Sequence, residues 1–331
     1  MIQKNAANPT RITDYIYRIT CHEQERSLCS MEMRALWGAS FDVDYSTILL
    51  RSEIKHHVDR SPFVKYRLSI WCEGSNLDTL LDKVSQLPQV TRTYKVVALD
   101  HMLGQQVEQI AYHDRRALEQ KLGGQVKGEV DLKQPELLLG VIQLEDAWVF
   151  GELEWHDPIW QRHNDKPRHY STALSTKVAR SLVNIAVPSL NESIHFFDPC
   201  CGIGTVLMEA CSQGIKASGG DINPLAVVGA RENMAAFEYH CELCIHNMIE
   251  IETTYDVAIV DLPYNHCSVL PQEERYEMLR SLFSIARRVI IVSVEPIRAE
   301  LSELGYRIED EACIEKTHFK REVFLCSTPR K

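Results

Sequence analysis

Two turns in the second half of the chain carry residues whose types and spacing could bind a nucleoside and activate an amine. In the first, residues 198–204 (DPCCGIG), Gly202 and Gly204 allow a tight turn and a close approach of a ligand to the backbone. Asp221 ends the next predicted strand, where a carboxylate can accept both hydroxyls of a ribose. The second turn, residues 261–264 (DLPY), places a carboxylate, a proline and an aromatic ring after another strand. We call these segments the glycine turn and the carboxylate turn.

The residues of the glycine turn favour S-adenosylmethionine over a dinucleotide. Leu207 stands where the dinucleotide motif has a third glycine, and Asp198 would repel a pyrophosphate. A carboxylate at that position suits the ammonium group of a methionine moiety, and Asn247 could face the adenine. A helix starting near Thr205 would point its free N–H groups at the ligand. The alternative is that the glycines only form an ordinary turn between a strand and a helix and bind no ligand.

The carboxylate turn predicts chemistry on an exocyclic amine, whose lone pair is delocalised into the ring of a base. A carboxylate, Asp261, and a backbone carbonyl could accept the two N–H groups and direct the lone pair at a methyl donor. Pro263 would hold the carbonyl after Leu262 in place, and Tyr264 would stack on a base taken out of its helix. The alternative is an ordinary proline turn at a strand end.

The elements that position these turns alternate between strand and helix. Such alternation predicts an α/β fold with a doubly wound, mostly parallel sheet, and two final strands without a helix between them predict an antiparallel edge hairpin. The carboxyl ends of parallel strands share one edge, so both turns should face one crevice. The predicted strands are 195–201, 217–222, 241–246, 255–260, 289–294, 306–315 and 322–327, and the helices are 205–213, 223–237, 271–286 and 296–304.

The first 160 residues lack this alternation and predict mixed α+β packing in two small lobes. Residues 154–168, rich in His, Pro and charge, are the best candidate for a linker. The predicted strands are 14–20, 63–71, 93–99 and 137–143, and the predicted helices are 26–37, 76–87 and 115–122.

Composition indicates a globular cytoplasmic protein. Hydrophobic residues make up 45% and charged residues 25% of 331. The polar start shows no secretory signal, no run of 18 apolar residues predicts a membrane span, and eleven scattered cysteines are unlike a disulfide framework. One CxxC, at Cys241 and Cys244, lacks a second pair at a fitting distance, so we expect no metal.

The formal charge of −10 argues against a nucleic-acid partner, although a local patch can bind despite it. Candidate basic groups near a binding surface occur in three places. For the first a solvated loop is an equally good interpretation, and the second is better placed because it adjoins the half of the chain that carries the two turns. The groups are Arg51, Lys55, His56, His57 and Arg60 in the first half, Arg162, Lys166, Arg168 and His169 in the linker, and Lys316, His318, Lys320 and Arg321 near the terminal hairpin, on the rim of the crevice.

Nearly the whole chain resembles the THUMP-domain-containing tRNA guanosine N2-methyltransferases, a family of class I S-adenosylmethionine-dependent RNA methyltransferases. The match is most specific between residues 168 and 264 and loose before residue 60. The segments that carry it are 168–170 (RHY), 174–186 (LSTKVARSLVNIA), the glycine turn, 223–234 (NPLAVVGARENM), the carboxylate turn, 130–136 (VDLKQPE) and 149–151 (VFG).

The resemblance implies a domain order: a ferredoxin-like lobe (1–60), a THUMP-like RNA-binding domain (61–155), a linker (156–173) and a Rossmann-like methyltransferase domain with a seven-stranded sheet (174–331). It implies that THUMP grips the acceptor end of tRNA, that Asp261 and Tyr264 hold the target base, and that position 10 or 6 of tRNA is modified. Implied cofactor contacts are Ala173, Leu174, Asp198, Cys200, Gly202, Gly204, Asp221, Ile222 and Asn247. The sequence leaves open whether a small activating subunit or a homo-oligomer is involved, and whether one or two methyl groups are added.

Two departures from the family pattern affect the carboxylate turn. Leu262 replaces the first proline of the usual Asp-Pro-Pro-Tyr, which we expect to loosen the turn, and Asn265 stands where glycine is common. The rival interpretations are therefore methylation of adenine N6 or of a protein glutamine, for which similar turns serve, and a non-catalytic RNA-binding relative.

Overall fold

The computed structural model describes residues 14–38, 47–103, 106–171, 173–190, 193–263, 271–316 and 319–329. The chain forms two compact units. The first contains residues 1–21 and 45–157, and the second contains residues 22–44 and 158–331. Within the ranges described, no helix combines the length and apolar character needed to cross a membrane.

The first unit is built on a six-stranded sheet with two helices. Its elements are β1 (Tyr15–Thr20), β2 (Thr47–Ser52), β3 (Val64–Gly74), α2 (Leu77–Ser85), β4 (Tyr94–Ala98), β5 (His101–Leu103), β6 (Gln106–Glu108), α3 (Tyr112–Gly123), β7 (Leu137–Gln143) and β8 (Trp148–Trp155). The strand order is β2-β1-β3-β8-β7-β4, and β5 pairs with β6 in a separate ribbon. Only β4 and β7 run parallel among the strand pairs of the six-stranded sheet that the structure describes.

Successive side chains along these strands point to opposite faces of the sheet, and apolar side chains are buried on both faces. Leu139 and Val141 of β7 pack with α2 and α3, whereas Ile142, one position on, packs with Tyr66 and Leu68 in a second core. The mixed α+β packing predicted for this half is confirmed. Strands from before and after residue 60 belong to this one sheet, although the sequence predicted a boundary between two lobes at that residue. The THUMP-like assignment of residues 61–155 stays a prediction.

Gly151 lies where β3 bulges against β8, and it has no room for a side chain. A Cβ there would overlap the carbonyl oxygen of Ser69 and lie 3.1 Å from the Cα of Ile70, so the two strands would have to separate. We expect Gly151→Ala to destabilise the first unit by roughly 1–3 kcal/mol, measured by urea unfolding. Gly123→Ala is the matched control, since its Cβ would only touch a Val96 methyl carbon at 3.8 Å. Equal stability of the two variants would contradict this packing.

The second unit is a doubly wound sheet whose elements are α1 (Arg26–Trp37), α4 (Ile159–Arg162), α5 (Thr176–Ala186), β9 (His195–Asp198), α6 (Thr205–Cys211), β10 (Lys216–Asp221), α7 (Pro224–Ala236), β11 (Glu242–Ile245), β12 (Tyr255–Asp261), α8 (Gln272–Ile285), β13 (Ala286–Ser293), α9 (Arg298–Glu303), β14 (Arg307–Lys316) and β15 (Phe319–Ser327). The order is β11-β10-β9-β12-β13-β15-β14. The first five strands are parallel, whereas β15 runs antiparallel to β13 and to β14. The predicted parallel sheet with an antiparallel edge hairpin is therefore confirmed.

Helix α1 belongs to the second unit although it precedes most of the first unit in the chain. It packs against α5 and β14. The buried Glu32 of α1 accepts hydrogen bonds from Asn184 and Ser181 of α5, and Arg34 donates two hydrogen bonds of 2.8 Å to the Asp310 carboxylate on β14. The N-terminal part of the chain therefore contributes to both units.

Candidate active site

A cavity of about 590 Å³ opens at the carboxyl ends of β9, β10 and β12. Strand β9 lies between β10 and β12. From β9 the chain continues to β10 and β11 on one side and then crosses back to β12 on the other, and doubly wound sheets bind ligands at such a reversal of strand order. Most of the predicted site residues line this cavity. They are Ala173, Leu174, Asp198, Cys200, Gly202, Asp221, Ile222, Asn247, Asp261, Leu262 and Pro263.

The two glycines of the glycine turn have different roles. Both have positive φ, +51° for Gly202 and +81° for Gly204. A Cβ on Gly202 would meet no atom within 4 Å, so its open side leaves room for a ligand in the cavity. A Cβ on Gly204 would lie 3.2 Å from the Cβ of Ala230 on α7, and Gly204 is not part of the cavity lining. Gly204 thus shapes the turn and the helix packing.

Asp221 ties the glycine turn to the end of β10. Its Oδ2 accepts the N–H of Gly202 and its Oδ1 accepts the N–H of Asn223, both at 2.9 Å. Each carboxylate oxygen has a second lone pair, so the ribose role predicted for Asp221 is compatible with these bonds. The backbone role was not foreseen from the sequence.

Apolar side chains cover the part of the cavity beyond Asp221. Ile222 and Ile249 are 68% and 47% exposed, unusual values for isoleucines that line a pocket. Asn247 accepts the N–H of Ile249 at 3.3 Å, which orients its carboxamide beside them. These surfaces suit a flat heterocycle with polar edges.

Four carboxylates line the cavity: those of Asp198, Asp221, Asp261 and Glu274. Burial raises the pKa of Asp198 well above its ordinary range, and the nearby charges of Asp221 and Asp261 add to the shift, opposed by the 3.2 Å hydrogen bond from the Cys200 N–H. The described lining contains no lysine or arginine. A positively charged ligand would relieve the repulsion among these groups.

At the carboxylate turn, Asp261 presents an oxygen with no hydrogen-bond partner among the described residues. This atom, Oδ1, is buried, and Asp261 lines the cavity. The other oxygen, Oδ2, lies 3.7 Å from Nη2 of Arg321 on β15. Burial raises the pKa of Asp261 to about 7, against the opposing effect of the Arg321 charge. The group can therefore accept a hydrogen bond or a proton near neutral pH.

Leu262 is held in place at the start of the carboxylate turn, although its replacement of the usual proline was expected to loosen the turn. Its N–H donates to the Val292 carbonyl at 3.0 Å, a bond that proline could not make. Its side chain is 3% exposed and packs in a core cluster, and the residue also contributes to the cavity lining. Pro263 lines the cavity, whereas Tyr264 and Asn265 lie outside the described residues.

The predicted linker contains a buried anchor that the sequence did not indicate. His163 is completely buried; its Nδ1 lies 2.6 Å from Oε1 of Glu209 and its Nε2 lies 2.9 Å from the Tyr239 hydroxyl. This contact holds the segment that leads to Tyr170, Ala173 and Leu174 on the cavity wall.

Other lining residues were missed because they belong to elements whose inner face the sequence did not identify. Pro271, Glu274 and Met278 recur at helical spacing along α8 and the residue that precedes it, the one signal that could have found them. His246 and Met248 follow β11.

Some of the basic groups singled out from the sequence lie against carboxylates. Arg51 bonds Asp14 and Glu73, and His57 lies 3.6 Å from both Asp59 and Glu154. Arg168 pairs with Glu232, and Lys166 is buried. His318 lies outside the described residues. Cys244 Sγ lies 3.1 Å from His246 Nδ1, but no three metal-ligating side chains converge within the described ranges.

The chain is similar to known methyltransferases. The UPF0020 family model, described as RMKL-like, methyltransferase domain, matches residues 163–291. The tRNA (guanine(10)-N2)-dimethyltransferase of Methanothermobacter thermautotrophicus is 25% identical over 184 residues, which cover 52% of this chain and 54% of that protein. The enzyme of the same name from Methanocaldococcus jannaschii is 30% identical over 132 residues, 38% of this chain and 37% of that protein. The chain thus spans about half the length, or less, of these curated relatives.

A solved structure is similar over almost the full length of the chain. The crystal structure of TrmN from Thermus thermophilus aligns with 95% of this chain and 100% of its own, with a TM-score of 0.50 and 16% identity. At this identity the likeness concerns the fold.

Proposed function

We propose, because residues 163–291 match the UPF0020 methyltransferase-domain model, that the protein methylates the exocyclic N2 of a guanosine in tRNA with S-adenosylmethionine. The observation that carries this proposal is the buried Oδ1 of Asp261, which has no hydrogen-bond partner in the part of the chain that the structure describes and lies on a cavity that the glycine turn and Asp221 also line. The names of the curated relatives support a guanosine of tRNA as the substrate.

The cavity residues fit the proposed cofactor. Asp198 would face the ammonium group, Gly202 would admit the amino-acid tail, and Asp221 would accept the ribose hydroxyls. The adenine would lie against Ile222 near Asn247, and Ala173, Leu174 and Cys200 would close the remaining sides. S-adenosylmethionine supplies a methyl group on a positively charged sulfur. That charge suits a wall with four carboxylates and no described lysine or arginine.

The chain's own contribution is to orient the amine and hold its proton. Oδ1 of Asp261 would accept one N–H of the amine, and the backbone carbonyl of Leu262, fixed by its strand bond and by Pro263, would accept the other. Positive charge develops on the nitrogen during transfer, and the adjacent carboxylate stabilises it. With a pKa raised to about 7, Asp261 can then take up the proton that the nitrogen releases. The stacking role of Tyr264 stays a prediction.

The rival functions have less support. Methylation of adenine N6 or of a glutamine amide needs the same turn, but the relatives reported above are named for guanine in tRNA. A non-catalytic role would have followed from a loosened turn, whereas Leu262 is hydrogen-bonded and buried. tRNA as the partner, the THUMP-like role of the first unit and the cytoplasmic location all remain part of the proposal.

We expect the fall in kcat/KM at acidic pH to reflect the protonation of Asp261. The carboxylate must be ionised to accept the amine, and its pKa is raised to about 7, so kcat/KM for tRNA should fall about tenfold per unit below about pH 7 and level off above it. Initial rates at saturating cofactor isolate this group from Asp198, which would act in cofactor binding. A flat profile down to about pH 5.5 would contradict the assignment.

The substrate is tested by mapping modified nucleosides in tRNA from cells that lack the gene. We expect N2-methylguanosine or N2,N2-dimethylguanosine to disappear from one position and to return on expression of the wild-type protein. An unchanged guanosine methylation pattern would count against the proposal, and a missing N6-methyladenosine would favour the first rival.

A further inference from the structure

We infer that Arg321 is a positioning residue for the proposed methyl transfer. Its guanidinium keeps the Asp261 carboxylate ionised and directs Oδ2 away from the cavity, so that Oδ1 is left for the amine. This inference rests on the proposed function.

The strand register places Arg321 behind the carboxylate turn. Asp261 of β12 pairs with Val292 of β13, which in turn pairs with Val323 of β15. Arg321 lies two residues before Val323 and therefore on the same face of the sheet, from which a long side chain reaches across β13. Its Nη2 lies 3.7 Å from Oδ2 of Asp261.

The pair is shielded, and only one partner faces the ligand. The side chains of Arg321 and Asp261 are 13% and 19% exposed. Asp261 lines the cavity and Arg321 does not, so the guanidinium approaches the carboxylate from the wall side. An arginine in that place can tune the carboxylate without touching the substrate, because a charge at this distance acts strongly where water is scarce.

The other charged and titratable groups around Asp261 make a counter-charge necessary. Asp198 faces the cavity from β9, Asp221 from β10 and Glu274 from α8. The rest of the described titratable lining consists of the thiols of Cys200 and Cys201, His246 and the Tyr170 hydroxyl. A like charge nearby favours the protonated form of a carboxyl group in general, which is the direction in which burial shifts Asp261. Removal of the guanidinium would leave nothing in the described lining to offset these effects, and the pKa of Asp261 would rise above about 7.

The test is the pH profile of kcat/KM for Arg321→Met. We expect the acid limb to move upward by roughly 1–3 units, so that activity near pH 7 falls about tenfold or more and recovers at alkaline pH. Arg321→Lys keeps the charge and should return the limb towards its wild-type position. S-adenosylmethionine binding, measured by calorimetry, should stay at the wild-type affinity in both variants.

A surface arginine provides the control. Arg280→Met removes an exposed i,i+3 pair with Glu277 on α8 and should leave the profile unchanged. A loss of activity in Arg321→Met that is equal at every pH would overturn the inference, since it would indicate a role in folding or RNA contact. An unshifted limb would overturn it as well. If the wild-type protein methylates no RNA at any pH, the proposed function itself fails.

Discussion

Replacement of Asp261 by alanine is expected to abolish measurable methyl transfer while S-adenosylmethionine still binds. The carboxylate is the group that would orient the amine and stabilise the charge on its nitrogen, and loss of one such preorganised electrostatic contact costs roughly 10²–10³-fold in kcat. Its oxygens form no hydrogen bond to the glycine turn; those bonds come from Asp221. Single-turnover transfer to tRNA measures the first effect, and calorimetry with the cofactor measures the second.

Two further variants make this result interpretable. Asp261→Asn keeps the shape of the side chain and removes the charge, so it should be nearly as inactive as the alanine variant. Glu277→Gln neutralises an exposed carboxylate on α8 and should be fully active. If Asp261→Ala loses cofactor binding together with activity, the residue has a structural role and the assignment is wrong.

Asp221→Ala is expected to raise the dissociation constant of S-adenosylmethionine by about tenfold or more, each tenfold being about 1.4 kcal/mol. The variant loses the proposed ribose contact and also the two 2.9 Å hydrogen bonds that shape the glycine turn. Asp221→Asn keeps one accepting oxygen and should be affected less. Calorimetry gives the affinities, and circular dichroism checks that both variants fold. A folded alanine variant with wild-type affinity would refute the role of Asp221.

The strand ends that form the site could be predicted because the pattern is local. Buried apolar runs end at Asp198, Asp221 and Asp261, and parallel strands bring their carboxyl ends to one edge. Three carboxylates far apart in sequence therefore meet in one cavity, as predicted. Helix α1 was also predicted with its observed bounds, since Gly38 follows it in the left-handed conformation that ends helices.

The features that were missed depend on pairings between distant segments. The approach of Arg321 to Asp261 requires the register of β12, β13 and β15, which no local pattern determines. The position of α1 on α5 depends on the buried Glu32, which looks like a surface residue in the sequence. His163 was likewise taken for part of a solvated linker, because its partner Glu209 lies on another helix.

The proposed methylation of guanosine N2 is best tested by identifying the atom that receives the methyl group. Purified protein is incubated with tRNA and S-adenosylmethionine that carries a deuterated methyl group, and the digested nucleosides are analysed by mass spectrometry. We expect the label on N2 of guanosine for the wild-type protein and none for Asp261→Ala. Label on adenine N6 or on a protein glutamine, or no labelled product from folded protein that binds the cofactor, would contradict it.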